Sequence, residues 1–294
     1  MRPPMQNRRA MKFSVCGAGA LFLIVGCGST QLPPPEPPAP VALTAAPSAA
    51  SAAPAPAPAA PVASVSVTAP VAAALAAADR SADDRALDAG RKSDQWLSFF
   101  GVAPGMHVGE IAAGGGVTSE LLARIVGPTG VVYGENPSSF LQRFAEKPWS
   151  ERLAKPVNKN VIRSDREPDA PFPPEAQNLD VVLSILVYHD TVWLGVDRAK
   201  MNRAIFAALK PGGVYGVIDH SGRAGTGSTE TQTLHRIEES VVRDEIEKAG
   251  FVLDAEASFL KNPNDTRDWS ASPRFAGEKR GTSDRFVLRF KKPG

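Results

Sequence analysis

The chain is short of cysteine, and the two it has, Cys16 and Cys27, both lie within the first 27 of 294 residues. Beyond them there is no thiol, so disulfides and cysteine-based metal sites are excluded there. Charge of one sign is missing too. Lys and Arg number 33 against 31 Asp and Glu, with no basic block, which argues against nucleic acid as a partner. No apolar run reaches the roughly 20 residues of a comfortable membrane span. Histidine is scarce, with only four residues, and the spacing of His, Asp and Glu forms no compact metal motif, so no metal is expected.

What is present falls into three parts. Arg8, Arg9 and Lys12 precede an apolar stretch over 13–25 and then Gly26-Cys27, the pattern of an export signal. Residues 24–27 (IVGC) resemble a bacterial lipoprotein box, which implies a signal over 1–26 and a lipid on Cys27 as the contact with the membrane. Gly28 implies sorting to the outer membrane, with the protein facing the periplasm. Residues 27–80 are then expected to be an unstructured tether, since 31–78 are almost wholly Ala, Pro, Ser and Val. At ~3.1 Å per residue such a segment reaches on the order of 150 Å. Residues 81–294 are enough for one sizeable core and a single domain.

Residues 106–122 (MHVGEIAAGGGVTSELL) carry the most information. They read as a strand, a glycine turn and the start of a helix, with Glu110 just ahead of the glycines. Gly114 and Gly116 allow a ligand close to the main chain. An acid at Glu110 disfavours pyrophosphate and favours a ligand with positive charge or free hydroxyls. The run Gly114-x-Gly116-x-x-Ser119 lacks the third glycine of a dinucleotide fingerprint, and no Gly-Lys-Ser/Thr follows as in a phosphate-binding loop. A helix over 120–126 exits at Gly127-Pro128, and the next strand, 131–135, ends in Glu135, roughly 20 residues past the turn, where an acid takes ribose hydroxyls.

Further strands are expected at 160–165, ending in Asp165, and at 179–188, a nearly continuous apolar run suited to a central parallel strand. Residues 208–213 (ALKPGG) lead into a strand over 214–219, and the tail adds strands at 251–255 and 285–290. Together these motifs resemble the class I S-adenosylmethionine-dependent methyltransferases, and the similarity extends over residues 87–292. Within that class the chain resembles exported or lipoprotein bacterial members. The resemblance implies an α/β, Rossmann-like fold: a seven-stranded, mostly parallel sheet with helices on both faces and a C-terminal antiparallel hairpin. It also implies S-adenosylmethionine as cofactor, held by Glu110, Ala112, Gly114, Gly116, Glu135 and Asp165. Ala112 departs from the family, which has glycine there.

Catalytic candidates follow from where ligands bind in such sheets, beyond the carboxyl ends of the strands. Tyr188, His189 and Asp190 follow the fourth strand, His220 follows the fifth, and His235 lies past a loop over 222–233 with the glycine content of a lid. His107 precedes the first strand and reads as a surface residue. Methyl transfer from a sulfonium asks the protein to align the acceptor and remove its proton. His189 is the first choice for that base and His220 the second. Asp190 is expected to orient His189 or to position the acceptor, and Tyr188 to line the cofactor or acceptor pocket. The expected function is methylation of a small molecule or an envelope component. The alternative is a catalytically inactive methyltransferase-fold lipoprotein with a ligand-binding or structural role.

Overall fold

The computed structural model describes residues 65–294; the expected signal, Cys27 and most of the tether lie outside the described residues. Among the described residues no helix is long and apolar enough to cross a membrane.

Seven strands form one sheet. They are β1 (His107–Ile111), β2 (Val131–Glu135), β3 (Val161–Ser164), β4 (Leu179–Ile185), β5 (Leu209–His220), β6 (Val252–Ala257) and β7 (Arg285–Lys291). Their order is β3-β2-β1-β4-β5-β7-β6. The first five run parallel, while β7 is antiparallel to both β5 and β6, as expected for the fold. The order reverses between β1 and β4, so the crevice for a ligand lies at their carboxyl ends.

Alternate residues feed two cores, the period of a strand buried on both faces. On one face Val108, Val181, Leu183 and Ile218 meet Trp96, Leu122 and Val126. Those come from α3 (Ser93–Phe99) and α4 (Val117–Val126), which pack with α1 (Ala69–Ala76) and follow α2 (Ala82–Arg91). On the other face Ile111, Val182, Val217 and Leu288 meet Met201, Ile205, Val242 and Ile246. Between β2 and β3 the chain forms α5 (Ser138–Phe140), a π turn (Leu141–Ala145) and α6 (Glu146–Leu153). The later helices are α7 (Tyr188–Trp193), α8 (Arg198–Ala208), α9 (Thr231–Leu234) and α10 (Glu239–Glu247).

Two expectations need correction. The folded part starts ahead of residue 81: α1 lies inside the span read as tether, with Val71 and Ala74 buried in the core. Proline sits in its first turn, where a missing N–H costs nothing, and Val, Leu and alanines continue it. Residues 209–213, read as a turn ahead of the strand, belong to β5. Its pairing with β4 shifts register between Leu179 and Val181, and the loop is absorbed there as an irregularity. Between β3 and β4 the crossover is irregular chain, with Phe172 against Gly109 where a Cβ would collide with the ring.

Candidate functional site

The glycine turn is built by main-chain donors and by the two residues that end β2. Ala112 N–H donates to Glu135 Oε2 at 2.9 Å, and Ala113 N–H to the Glu135 carbonyl at 2.7 Å. Gly114 exchanges two bonds with Asn136: its N–H donates to Oδ1 at 2.8 Å and its carbonyl accepts from Nδ2 at 3.2 Å. Asn136, fully buried, was not picked out from the sequence; the signal was a second polar residue directly after the strand-end acid. Ala112, Gly114 and Gly116 all have positive φ, at 50°, 59° and 77°. For Ala112 that conformation is strained, because its methyl crowds the carbonyl.

The glycines divide by what they face. A Cβ at Gly114 would meet nothing within 4 Å, so the main chain there is open to a ligand. Gly116 instead makes room for the Trp149 ring, which also packs on Gly134. Arg152 Nε donates to the Gly115 carbonyl at 2.6 Å and pairs with Asp84 and Glu120, sealing the outer side of the turn. The expectation that Gly116 contacts a cofactor is therefore corrected: its lack of a side chain serves Trp149.

The acids also separate. Glu135 is fully buried, and its Oε1 has no partner. Burial pushes its carboxyl well above the ordinary range; the Ala112 N–H opposes this, while Glu167 and Glu110 add to it. Glu110 turns toward α4 rather than toward a ligand and accepts from Ser119 Oγ. Burial raises it to about 7 against the pull of Ser119 and Arg91. Asp165, expected near a cofactor base, is 40% exposed and held by Arg163 Nε at 2.7 Å.

At the other side of the crevice the histidines come together. Asp219, fully buried at the end of β5, accepts three hydrogen bonds at 2.7 Å: from His189 N–H, from His189 Nδ1 and from His220 N–H. His189 Nε2 lies 3.1 Å from Asp190 Oδ1 and 3.2 Å from His235 Nδ1. Burial alone would lower the His189 pKa, but Asp219 and Asp190 outweigh it and raise it to about 10. Asp190 is driven the other way: burial would raise it, and its bonds from His189 and His235 prevail. His220 is pushed well below the usual histidine value by burial and by the neighbouring His189, Arg285, Arg236 and His235. Its Nδ1 is 2.7 Å from Ser283 Oγ.

These facts correct two roles. With both flanking carboxylates favouring its proton, His189 is an imidazolium at neutral pH and cannot start as the base. Tyr188 lines no pocket: it is fully buried, its hydroxyl donating to Glu245 and accepting from Asn202. The loop after β5 is tied down, Gly225 and Gly227 N–H both donating to Glu238. Asp265, in the β6–β7 connection, is a buried partner of Arg236. His107 is exposed, as expected.

No protein-family profile matches the sequence. The chain is similar to solved structures of methyltransferases. One is a chain of the complex between a Haloferax volcanii methyltransferase activator and the protein described as its methyltransferase, at 17% identity and a TM-score of 0.50, over 77% of this chain and 98% of that one. A S-adenosylmethionine-dependent methyltransferase of Aquifex aeolicus matches at 19% identity and 0.49, over 67% and 87%. A Galdieria sulphuraria protein described as a sarcosine dimethylglycine methyltransferase matches at 16% and 0.49, over 78% and 92%. At such identities the likeness speaks for the fold, which is the Rossmann-like methyltransferase fold.

Proposed function

We propose that the chain is an S-adenosylmethionine-dependent methyltransferase, held at the outer membrane on the periplasmic side through a lipid on Cys27 and acting on a small molecule or an envelope component. The observation that carries the enzymatic part is Glu135, whose Oε2 is fixed by the turn while its buried Oε1 has no partner. A buried polar atom without a partner is costly, and a hydroxyl donor from a ligand would satisfy it.

The residues fit that cofactor. Glu135 would hold the ribose hydroxyls, the open side of Gly114 would allow close approach, and Asn136 keeps the turn in shape. Ala112 holds Glu135 in place. Bound there, the cofactor supplies a methyl group on a positively charged sulfur, already activated toward a nucleophile. The chain's own task is to orient the acceptor and accept its proton. His220 is uncharged, and in the tautomer whose Nδ1–H donates to Ser283 Oγ, Nε2 is the atom that takes the proton. Because its affinity for a proton is depressed, it suits an acceptor that becomes acidic as the methyl arrives.

A second reading rests on Ala112, whose φ of 50° puts strain where the family has glycine, and on the complete burial of Glu135. In it the fold holds a ligand without turnover. Calorimetric titration with S-adenosylmethionine and its demethylated product separates the two. Binding by wild type, weakened about tenfold in Glu135→Ala by loss of hydrogen bonds worth roughly 0.5–1.5 kcal/mol each, supports the cofactor site. A folded wild type that binds neither compound removes the enzyme reading. Metabolic labelling with a fatty acid, lost in Cys27→Ala, tests the anchor.

A further inference from the structure

We propose that His189 Nε2, Asp190 Oδ1 and His235 Nδ1 form a binding site for one first-row divalent transition metal ion, with Asp219 and Trp193 holding the ligands in place. The three donors make a nearly equilateral triangle, with sides of 3.1, 3.2 and 3.3 Å. A zinc ion about 2.0–2.1 Å from each donor in tetrahedral geometry separates them by only slightly more, and leaves its fourth position open. Two imidazoles and one carboxylate are a donor set that first-row ions accept.

The surroundings argue for a cation as well. Asp219 is a carboxylate acceptor for His189 Nδ1, so Nδ1 keeps its proton and Nε2 is the nitrogen turned toward Asp190 and His235. Nε2 thus meets a carboxylate oxygen and a second imidazole nitrogen, a cluster that holds a proton without metal and that a metal ion takes over by displacing that proton. An acid behind a metal-binding histidine is the usual device for fixing its tautomer and direction. Asp190 has an equivalent support, since Trp193 Nε1 donates to the same Oδ1 at 2.9 Å. His235 is placed by a left-handed backbone, φ 50°, at the end of the short helix α9. Strain of that kind in a non-glycine residue persists where the surrounding structure imposes it. Asp190 and His235 are partly exposed, at 28% and 20% of their side chains, which gives an ion a way in.

The site takes its ligands from two helices distant in sequence, which is why spacing along the chain gave no metal motif. It does not depend on methyl transfer, so its failure and the failure of that function are read separately.

The test is equilibrium dialysis of the purified full-length protein against zinc chloride, with metal content measured by mass spectrometry and cobalt(II) as a spectroscopic probe. One equivalent of zinc and tetrahedral cobalt absorption are expected for wild type. His235→Ala, partly exposed and therefore the variant least able to disturb the fold, should bind at least about 100-fold more weakly while keeping wild-type circular dichroism. Trp193→Phe, which removes only the support of Asp190, should weaken binding by about tenfold. Wild type without metal above the dialysis blank overturns the site, as does full binding by both His235→Ala and Asp190→Asn. Should His235→Ala fail to fold, Asp190→Asn and Trp193→Phe carry the same decision.

Discussion

At the ends of β1 and β2 polar side chains meet chiefly the main chain, whereas at the ends of β4 and β5 they also pair with one another. Glu135 and Asn136 close the glycine turn through amides, and the nearby Glu110 is shielded from charge by burial. Asp219, His189, Asp190 and His235 form an ionic chain with no intervening main-chain acceptor. The same buried carboxyl group is thus penalised on one side of the crevice and required on the other. Burial disfavours a charge, and only an opposite charge in direct contact reverses the outcome.

The comparison is most severely tested by neutralising one acid on each side. Asp219→Asn removes the charge that stabilises the His189 imidazolium and turns an acceptor into a donor facing Nδ1. Breaking a buried pair from one side costs about 3–5 kcal/mol, and the urea midpoint should fall accordingly. A variant as stable as wild type would mean that the ionic chain does not hold α7 against β5. Next in size is Gly116→Ala. The new methyl would collide with the Trp149 ring and force φ 77° on a residue with a Cβ. Overpacking and backbone strain together predict a loss of about 3 kcal/mol. A smaller loss would show that α6 can retreat from the turn.

Glu110→Gln should have the opposite sign to Asp219→Asn. Its folded pKa, raised from 4.5 to about 7 by burial, means that the unfolded chain sheds this proton first as pH rises. The stability it contributes is complete below pH 4.5 and is lost as pH climbs to about 7. Above that, the buried charge costs on the order of 2–3 kcal/mol. Glutamine keeps the bond from Ser119 without the charge, so the variant should gain about 2 kcal/mol at pH 8 and nothing at pH 4. Urea denaturation at the two pH values measures this. Equal effects at both would show that Glu110 carries no proton at neutral pH and would remove the contrast between the two sides.

The sequence made one side of the crevice legible and hid most of the other. Glu135 is reached by counting from the glycine turn, because strand, turn, helix and strand are local and their lengths are fixed by period and by Gly127-Pro128. The cores follow from alternation in the same way. His189, Asp219 and His235 were visible as polar residues near strand ends. Their mutual contacts depend on how two loops and two short helices pack, which no local pattern encodes. Trp149 was missed for a related reason, since Gly116 read as ligand space and turned out, with Gly134, to be space for its ring. The helix α1 was hidden by average composition: the segment is rich in alanine and proline, but its only proline stands where a helix begins.

Ala112 sharpens the comparison at its finest scale. A left-handed conformation costs an L-residue roughly 1–2 kcal/mol, and glycine at the same place gives back about 0.5–1 kcal/mol through the entropy of the unfolded chain. Ala112→Gly should therefore stabilise the protein by about 0.5–1 kcal/mol, read as a small rise in Tm. The same variant removes a methyl group beside the amide that holds Glu135. If the turn is shaped for a cofactor, S-adenosylmethionine should bind Ala112→Gly more tightly than wild type. Should Tm rise while affinity stays at the wild-type value, the methyl lies outside the ligand's path and the strain belongs to the turn alone. A fall in Tm would mean that Ala112 gains from packing more than its backbone loses, and that the turn is adapted to alanine.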